Sequence, residues 1–394
     1  MSYKVLNNSQ KTDYKDDNEE HIYLNIKISN FPKGGRNNPI SAVYNKQTSS
    51  ILDCQKDYKM SVLFWSLRGQ IPVFICPIVE GTNTLINATP FGVNFNYGGV
   101  DYPSQIFYSP DTDLTSSTVL PKSPNDNNGI QDIGTSNYYY VYTFQHFIDL
   151  VNNSLFGAWA DFDAVNPAIH NSAPWFQYDS KTGLMSLIAE RSYSQPFGAK
   201  VFMNSRLLNY FEAIRVKFYG YNQPNYSDFE FIFKEANGNQ YGYAIPSTTL
   251  TNPPAYNKYE QEYDARFLWG NIKSILFTSS SIACREEYVP QSTNPEAFQQ
   301  KGNPFNPDRR SIISYYDIFY DTSGTSGANW RQQLYYNPPY AKFIDLISNS
   351  NLNNINLEVF IQLNDGQLIP LQIPTGANVD IKLVFKKKCS SEYD

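Results

Sequence analysis

NINLEVFIQLNDGQLIPLQIP (354–374) and NVDIKLVFKKK (378–388) together decide the fold class of this chain. The second segment alternates apolar and polar residues, and one face of the predicted strand carries Val379, Ile381, Leu383 and Phe385. Alternation at a period of two is typical of a half-buried β-strand, because successive side chains point to opposite faces. In the first segment Asp365-Gly366 stands between two apolar runs, which predicts a tight hairpin turn.

Similar strand patterns recur through the rest of the chain. They lie at HIYLNIKIS (21–29), YKMSVLFWSL (58–67), QIPVFICPIV (70–79), PWFQYDSKTGLMSLIAERSY (174–193), DFEFIFKEANGNQYGYAI (228–245), NIKSILFTSSSIAC (271–284), RSIISYYDIFY (310–320) and YAKFIDLIS (340–348). Arg68-Gly69 separates the second run from the third, so these two are predicted to pair as a hairpin, and Asn237-Gly238 predicts another. The run at 174–193 reads as two strands joined by the turn DSKTG (179–183). Many short strands with turns between them indicate an all-β, jelly-roll β-sandwich, either one roll with a large insertion or two rolls.

One amphipathic helix is predicted near 143–160, within the stretch YYYVYTFQHFIDLVNNSLFGAW (138–159). Its apolar stripe consists of Phe144, Phe147, Ile148, Val151 and Leu155. This spacing fits one face of a helix, and Thr143 is suited to the N-cap position. We expect the helix to cap an open end or flank of the sandwich. His146 lies off the stripe and is predicted to be scaffold.

The chain is predicted to divide into five parts. They are a flexible arm (1–20), a first β-module with long loops and the capping helix (21–160), a second β-module or insertion (161–310), strands that complete the sandwich (311–388) and a tail (389–394). The arm is polar with alternating charge, so it has too little apolar surface to offset its ordering entropy.

The composition favours contact with other protein surfaces over contact with nucleic acid. Only 17% of the 394 residues are charged and the net charge is −6, whereas the chain has 31 Tyr and 26 Phe. A nucleic-acid binder needs clustered Lys and Arg to neutralise phosphates. One exception is Lys386, Lys387 and Lys388, which are predicted at most to make a weak genome contact. No apolar run approaches the ~18 residues of a membrane span.

Catalytic, metal-binding and cofactor motifs are not found, so the chain is predicted not to be an enzyme and to bind no cofactor. The histidines His21, His146 and His170 do not stand beside a nucleophile, although a triad can be spatial without being sequential. The acids of DFD (161–163) and EYDAR (262–266) are read as solvated loop acids. The four cysteines, Cys54, Cys76, Cys284 and Cys389, lack the spacing of a zinc site or a disulfide scaffold.

Aromatic runs supply the candidate interface residues. A tyrosine buries a large area and keeps a polar tip, which makes it frequent at interfaces. From YYYVY (138–142) and LYYNPPY (334–340) the predicted interface residues are Tyr138, Tyr139, Tyr140, Tyr335, Tyr336 and Tyr340. A sugar-stacking platform is the alternative interpretation of such runs.

Four blocks of the sequence carry a resemblance to a known family. They are SSILDCQKDYKMSVLFWSLRGQIPVFICPI (49–78), VYTFQHFIDLVNNSL (141–155), PPYAKFIDLISNSNL (338–352) and DGQLIPLQIPTGANVDIKLVFKKK (365–388). In this order they resemble the minor capsid, penton-type proteins of polinton-like viruses, virophages and related small eukaryotic DNA viruses. The resemblance covers most of the chain, from about residue 49 to residue 388.

The resemblance implies a virion structural protein, a homopentamer at an icosahedral vertex that contacts other capsid proteins. It would be made and assembled in the host cytoplasm or nucleus. Because the chain is longer than one roll needs, a double jelly-roll major capsid protein remains an alternative. A carbohydrate-binding or receptor-binding β-sandwich is a further alternative.

Overall fold

A computed structural model describes residues 21–29, 41–45, 50–68, 72–79, 87–109, 138–233, 244–246, 256–284, 311–317, 333–337, 340–364, 366, 368–371 and 378–388. The strands up to residue 203 are β1 (His21–Ser29), β2 (Ser41–Asn45), β3 (Tyr58–Arg68), β4 (Phe74–Pro77), β5 (Ala88–Tyr97), β6 (Val100–Phe107), β7 (Tyr138–Val141), β8 (Trp175–Tyr178), β9 (Met185–Glu190) and β10 (Lys200–Met203). The later strands are β11 (Val216–Phe218), β12 (Phe229–Phe231), β13 (Ala244–Pro246), β14 (Tyr256–Glu260), β15 (Ile272–Ser279), β16 (Ser311–Asp317), β17 (Gln333–Tyr336), β18 (Ile344–Asp345), β19 (Asn354–Leu363), β20 (Leu368–Pro370) and β21 (Asn378–Lys387). The α-helices are α1 (Phe144–Val165), α2 (Ser205–Leu208) and α3 (Arg266–Trp269).

Two five-stranded sheets, drawn from both ends of the chain, form a jelly roll. The first has the order β1-β21-β3-β17, with β18 also paired to β3, and the second has the order β16-β15-β19-β2, with β20 also paired to β19. The sheets share one core, in which Trp65 of the first sheet packs on Phe277 of the second with ring centroids 4.6 Å apart. Early and late strands lie side by side in both sheets, as in a jelly roll. The prediction of an all-β jelly-roll sandwich is confirmed.

A second unit is inserted between β3 and β15 and has its own hydrophobic core. Its two larger sheets have the orders β11-β12-β10-β5-β6 and β13-β14-β9-β8. The strands of the jelly roll are therefore interrupted in sequence by a second unit with two sheets. The limits of this unit differ from the predicted limits at residues 160 and 310, because β5, β6 and α1 share a core with the strands from β8 to β12. The predicted arm (1–20) and tail (389–394) lie outside the described residues.

Helix α1 packs inside the insertion against β5, β6 and β8. It begins where the sequence predicts, because the Thr143 hydroxyl accepts a hydrogen bond (3.1 Å) from the His146 backbone N–H. All five residues of the predicted apolar stripe are buried, and the helix continues to Val165, one turn beyond its expected end. The ring of Phe162 in this last turn packs against Phe95 and Tyr102, which explains the extra length.

A two-stranded ribbon of β4 and β7 lies between the two cores. Ile75 of β4 belongs to the jelly-roll core, whereas its neighbours Phe74 and Cys76 belong to the core of the insertion. The tyrosines of β7 alternate between the two cores in the same way. Because successive side chains of a strand point to opposite faces, a ribbon of this kind joins both cores. Full burial raises the pKa of the Cys76 thiol far above its ordinary value and keeps the thiol protonated.

Two predicted hairpins are wrong, and two others are confirmed. The run at 58–67 pairs with β21, β17 and β18, while 70–79 provides β4, which pairs with β7. Within 228–245, β12 pairs with β10 and β11, and β13 pairs with β14. The hairpin of β19 with β20 around Gly366 and that of β8 with β9 form as predicted. Gly366 has φ +87°, the left-handed conformation that this turn requires.

Candidate assembly surface

Three of the six predicted interface tyrosines are buried inside the chain. Tyr138 and Tyr140 belong to the jelly-roll core, and Tyr139 belongs to the core of the insertion. The Tyr139 hydroxyl donates to Asn87 Oδ1 (2.7 Å), and its ring stacks on that of Tyr108 at 4.1 Å. This position corrects the expectation for these three residues, because their rings are covered by the chain itself and do not reach its surface.

The other three tyrosines lie at one edge of the first jelly-roll sheet. Strand β17 pairs with residues 65–68 of β3, and β18 pairs with residues 59–60 of the same strand. Among the described strands, the edge beyond β3 therefore consists of two short pieces. We call residues 333–337 and 340–347 the β17–β18 edge. Edge strands expose unpaired backbone groups and are frequent sites of contact between chains.

Large apolar side chains are exposed along the β17–β18 edge. Tyr340 is 85% exposed and Tyr335 is 55% exposed, and Phe343 and Ile347 are exposed as well. The ring of Tyr335 lies 4.8 Å from that of Phe64 on the outward face of the sheet. A group of exposed apolar side chains within a short segment marks a surface that can be covered by another molecule.

Inward-facing residues hold this edge in place. Leu334 is buried in the jelly-roll core, and the half-buried Tyr336 stacks on Trp65 with ring centroids 5.9 Å apart. The exposed and anchoring residues alternate along β17, as expected for a strand with one face on the core. The sequence interpretation missed Phe343 and Ile347 because it read 340–348 as a single strand. In the structure only Ile344–Asp345 of this stretch forms a β-strand.

An ion pair joins the β17–β18 edge to the end of β21. Lys388 Nζ lies 3.1 Å from Asp345 Oδ1, and the Lys388 side chain is largely buried. The backbone N–H of Lys388 donates to the Asp57 carbonyl (2.8 Å). One of the three lysines predicted to contact a genome is therefore neutralised within the chain.

His170 takes part in a buried hydrogen-bond chain with Ser192 and Glu190. Its Nε2 accepts from the Ala199 backbone N–H (2.9 Å), so the ring proton is on Nδ1, which donates to Ser192 Oγ (2.8 Å). Ser192 Oγ in turn donates to Glu190 Oε2 (3.0 Å). Burial lowers the pKa of His170 to about 4.

The direction of these hydrogen bonds is opposite to that of a catalytic triad. In a triad the histidine accepts the proton of the serine, whereas here the histidine donates to Ser192. The ring of His170 also stacks on Tyr193 at 3.7 Å. The network thus fixes the segment after α1 on the end of β9.

His146, Asp161 and Asp163 are the other residues that the sequence analysis considered for catalysis. His146 Nε2 lies 2.7 Å from the Ser109 carbonyl and therefore donates to it, as expected for a scaffold residue. Asp161 and Asp163 are two residues apart on α1, and such residues do not face each other. Within the described ranges, no cluster of three or more His, Cys, Asp or Glu side chains is arranged to hold a metal ion. The helices of the same ranges lack the length and hydrophobicity of a bilayer span.

Comparisons with known proteins agree on one kind of relative. The family described as Sputnik minor capsid protein V18/19 matches residues 22–387. Structural protein V19 of Sputnik virophage is 28% identical over 225 residues, which cover 55% of this chain and 96% of the relative. Uncharacterized protein V18 of the same virophage is 30% identical over 157 residues, 39% of this chain and 90% of the relative.

Two solved structures resemble the whole fold. A chain in the cryo-EM structure of the Sputnik virophage matches with a TM-score of 0.68 and 25% identity, over 95% of this chain and 99% of the other. The crystal structure of the mavirus penton protein matches with a TM-score of 0.56 and 14% identity, over 94% of this chain and all of the other. The likeness thus extends over both the jelly roll and the insertion.

Proposed function

Because this chain belongs to the Sputnik minor capsid protein V18/19 family, we propose that its copies form a closed ring of five at a vertex of an icosahedral capsid. The chain is a minor capsid structural protein, a component of the virion that assembles with other capsid proteins. The number of copies and the position at a vertex are the proposed part.

The β17–β18 edge is the observation that supports this proposal. A closed ring requires two different patches on each copy that match each other, since every subunit contacts one neighbour on each side. The edge offers one such patch, which consists of Tyr335 on β17 and of Tyr340, Phe343 and Ile347 outside the two strands. Tyr335 and Tyr340 carry the interface role in this proposal, and Tyr336 supports them from the core side.

A structural relative supports the proposed position at a vertex. The mavirus protein that shares this fold is a penton protein, and the likeness covers nearly all of this chain. A single jelly roll per chain also fits a vertex subunit better than a double-roll major capsid protein.

Two further expectations belong to the same proposal. We propose that the role is structural and not enzymatic, since His170 and His146 both hold backbone segments through hydrogen bonds. A weak genome contact would come from the basic run Lys386, Lys387 and Lys388, in which Lys388 is also paired with Asp345. Assembly would take place in the host cytoplasm or nucleus.

Native mass spectrometry of the purified chain over a range of concentrations tests the ring. We expect a species of five times 45.1 kDa, and class averages from negative-stain microscopy should show five-fold symmetry. A trimer would contradict the penton arrangement and favour a major capsid or spike protein. A monomer at every concentration would contradict ring formation by this chain alone.

A further inference from the structure

The ends of three neighbouring strands form a basic corner of the first jelly-roll sheet. Lys59 is the second residue of β3, and Lys386 and Lys387 are the last two residues of β21. The register places Lys386 opposite both Lys59 and His21, the first residue of β1. We call Lys59, Lys386, Lys387 and Lys388 the lysine corner.

The lysine corner carries more positive than negative charge. Among the described residues at these strand ends, the acids are Asp57 and Asp345, and Asp345 is already paired with Lys388. Lys59 and Lys386 share one face of the sheet because they lie directly opposite each other, and like charges in such a position are destabilising. Additional negative charge at this corner is therefore favourable.

The residues directly before β1 are acidic. DYKDDNEE (13–20) contains five acids and one lysine, so four negative charges are in excess. We call these residues, which lie outside the described part of the chain, the acidic segment. A dense run of like charges is often an interaction segment. Its charge is opposite to that of the lysine corner, and it joins β1 at His21, in the corner itself.

The register of β1 and β21 directs the acidic segment to the lysine corner. These strands pair without a shift over all nine residues of β1, up to Lys386. In the same register Glu20 lies opposite Lys387, and Glu19 lies opposite Lys388. Neighbouring residues of a strand point to opposite faces, so Lys387 points away from Lys386 and Lys388. Glu19 and Glu20 alternate in the same way, and each acid therefore meets a lysine on its own face.

We propose that the acidic segment docks on the lysine corner of its own chain, as a continuation of β1 along β21, and competes there with nucleic acid. Because the segment is joined directly to β1, it needs no linker and its effective concentration at the corner is high. Its acids pair with the lysines that would otherwise neutralise phosphates. The competition rests on the genome contact proposed above, whereas the docking does not.

A disulfide in the full chain tests the docking. Asn18→Cys places a thiol opposite the natural Cys389 in this register and changes no charge. Paired residues of antiparallel strands have Cα atoms about 4.5–5.5 Å apart, a separation that a disulfide can span. We expect mild oxidation to join residues 18 and 389 within one molecule, as measured by peptide mass spectrometry and a non-reducing gel. Asn8→Cys, outside the segment, is the matched control and should form much less of this bond.

Three results of the oxidation would overturn the docking. One is an equal yield of the disulfide in Asn18→Cys and Asn8→Cys, and another is no disulfide in either variant. The third is a bond between residue 18 of one chain and residue 389 of another, which would assign the lysine corner to the acidic segment of a neighbouring copy.

Removing charge from the acidic segment tests the competition. The variant carries Asp16→Asn, Asp17→Asn, Glu19→Gln and Glu20→Gln. We expect it to bind a short DNA duplex about tenfold more tightly than the wild type at low salt, because the lysines become available to phosphates. Adding Lys386→Ala and Lys387→Ala to this variant should abolish the gain.

The matched control removes the same number of charges from exposed positions of the insertion. It carries Asp149→Asn, Asp161→Asn, Glu212→Gln and Glu262→Gln, and it should bind DNA as the wild type does. An equal gain in both variants would overturn the competition, since net charge alone would explain it. If no variant binds DNA, the genome contact and the competition both fail, whereas the disulfide decides the docking by itself.

Discussion

The side-chain amide of Asn271 forms two hydrogen bonds with the backbone of Ile75. Asn271 Nδ2 donates to the Ile75 carbonyl (2.8 Å), and Asn271 Oδ1 accepts from the Ile75 N–H (3.0 Å). Asn271 directly precedes β15 of the jelly roll, and Ile75 lies in the ribbon between the two cores. One side chain therefore takes the place of a neighbouring strand for β4 and connects the roll to the insertion. Asn152 of α1 bonds to the backbone of Phe176 in the same way, at 2.9 and 2.7 Å.

Replacing Asn271 with Ala should destabilise the chain. The substitution leaves the N–H and C=O groups of the fully buried Ile75 without this partner, and each such group costs about 1–3 kcal/mol. We expect Asn152→Ala to have an effect of similar size. Urea unfolding followed by tryptophan fluorescence measures the free energy of unfolding. The control is Asn153→Ala, because Asn153 is exposed on the same helix and its removal should change stability by about 0.5 kcal/mol or less.

Phe147 holds α1 in the core of the insertion. Its ring lies 5.0 Å from Phe74, 5.2 Å from Tyr210 and 5.3 Å from Trp269. We expect Phe147→Ala to lower the free energy of unfolding by about 3–5 kcal/mol, since it removes a buried ring and leaves a cavity. Phe156→Ala on the exposed side of the same helix is the control. Equal thermal unfolding midpoints for both variants would contradict this position of the helix.

Local patterns made much of this fold predictable. The alternation at 21–29 and 378–388 and the helical stripe with Thr143 are contained within a few neighbouring residues, and the structure follows them. Strand pairing could not be predicted in this way, because it depends on which distant strands lie beside each other in a sheet. β3 lies between β21 and β17, more than 260 residues away in sequence, so the short connection to the next apolar run did not decide its pairing.

The surface was harder to predict than the strands. The runs at 138–142 and 334–340 are both rich in tyrosine, yet the ribbon between two cores buries Tyr138, Tyr139 and Tyr140. A strand that is covered on both faces reads as a continuous apolar run, and YYYV has that pattern once tyrosine is counted as apolar. The local pattern does not show that a second core, formed by distant strands, covers the other face of this strand.

The His170 network makes stability dependent on pH. The pKa of His170 is about 4 in the folded chain, below its ordinary 6.5, so between these values the unfolded chain binds a proton that the folded chain does not. The stabilisation is therefore complete above pH 6.5 and is lost as the pH falls towards 4. Glu190, Ser192 and Tyr193 face the ring and would have to rearrange around an imidazolium.

We expect the free energy of unfolding to fall by about 2 kcal/mol between pH 7 and pH 4.5 through this group. Urea unfolding at several pH values measures it. The slope should be smaller in His170→Gln, whose side chain does not titrate, than in the wild type. An identical slope in the wild type and in His170→Gln would show that other groups cause the acid sensitivity.

Tyr340 should matter for assembly and not for folding. Its side chain is 85% exposed in the single chain, so Tyr340→Ser should change the free energy of unfolding by about 0.5 kcal/mol or less. In the ring proposed above, the same side chain would be buried against a neighbour, and removing a central aromatic residue from an interface costs about 2 kcal/mol or more. That loss corresponds to about a 30-fold weaker contact. The concentration at which half of the chain is assembled, measured by mass photometry, should rise accordingly.

Tyr263→Ser provides the comparison, because Tyr263 is exposed on the insertion and lies outside the β17–β18 edge. If assembly is unchanged in Tyr340→Ser, the contact between copies does not use this edge. If both variants assemble poorly, loss of any exposed tyrosine is enough to weaken the ring, and the specific role of Tyr340 fails. Only a shift confined to Tyr340→Ser, with the same unfolding midpoint as the wild type, identifies the β17–β18 edge as one of the two matching patches.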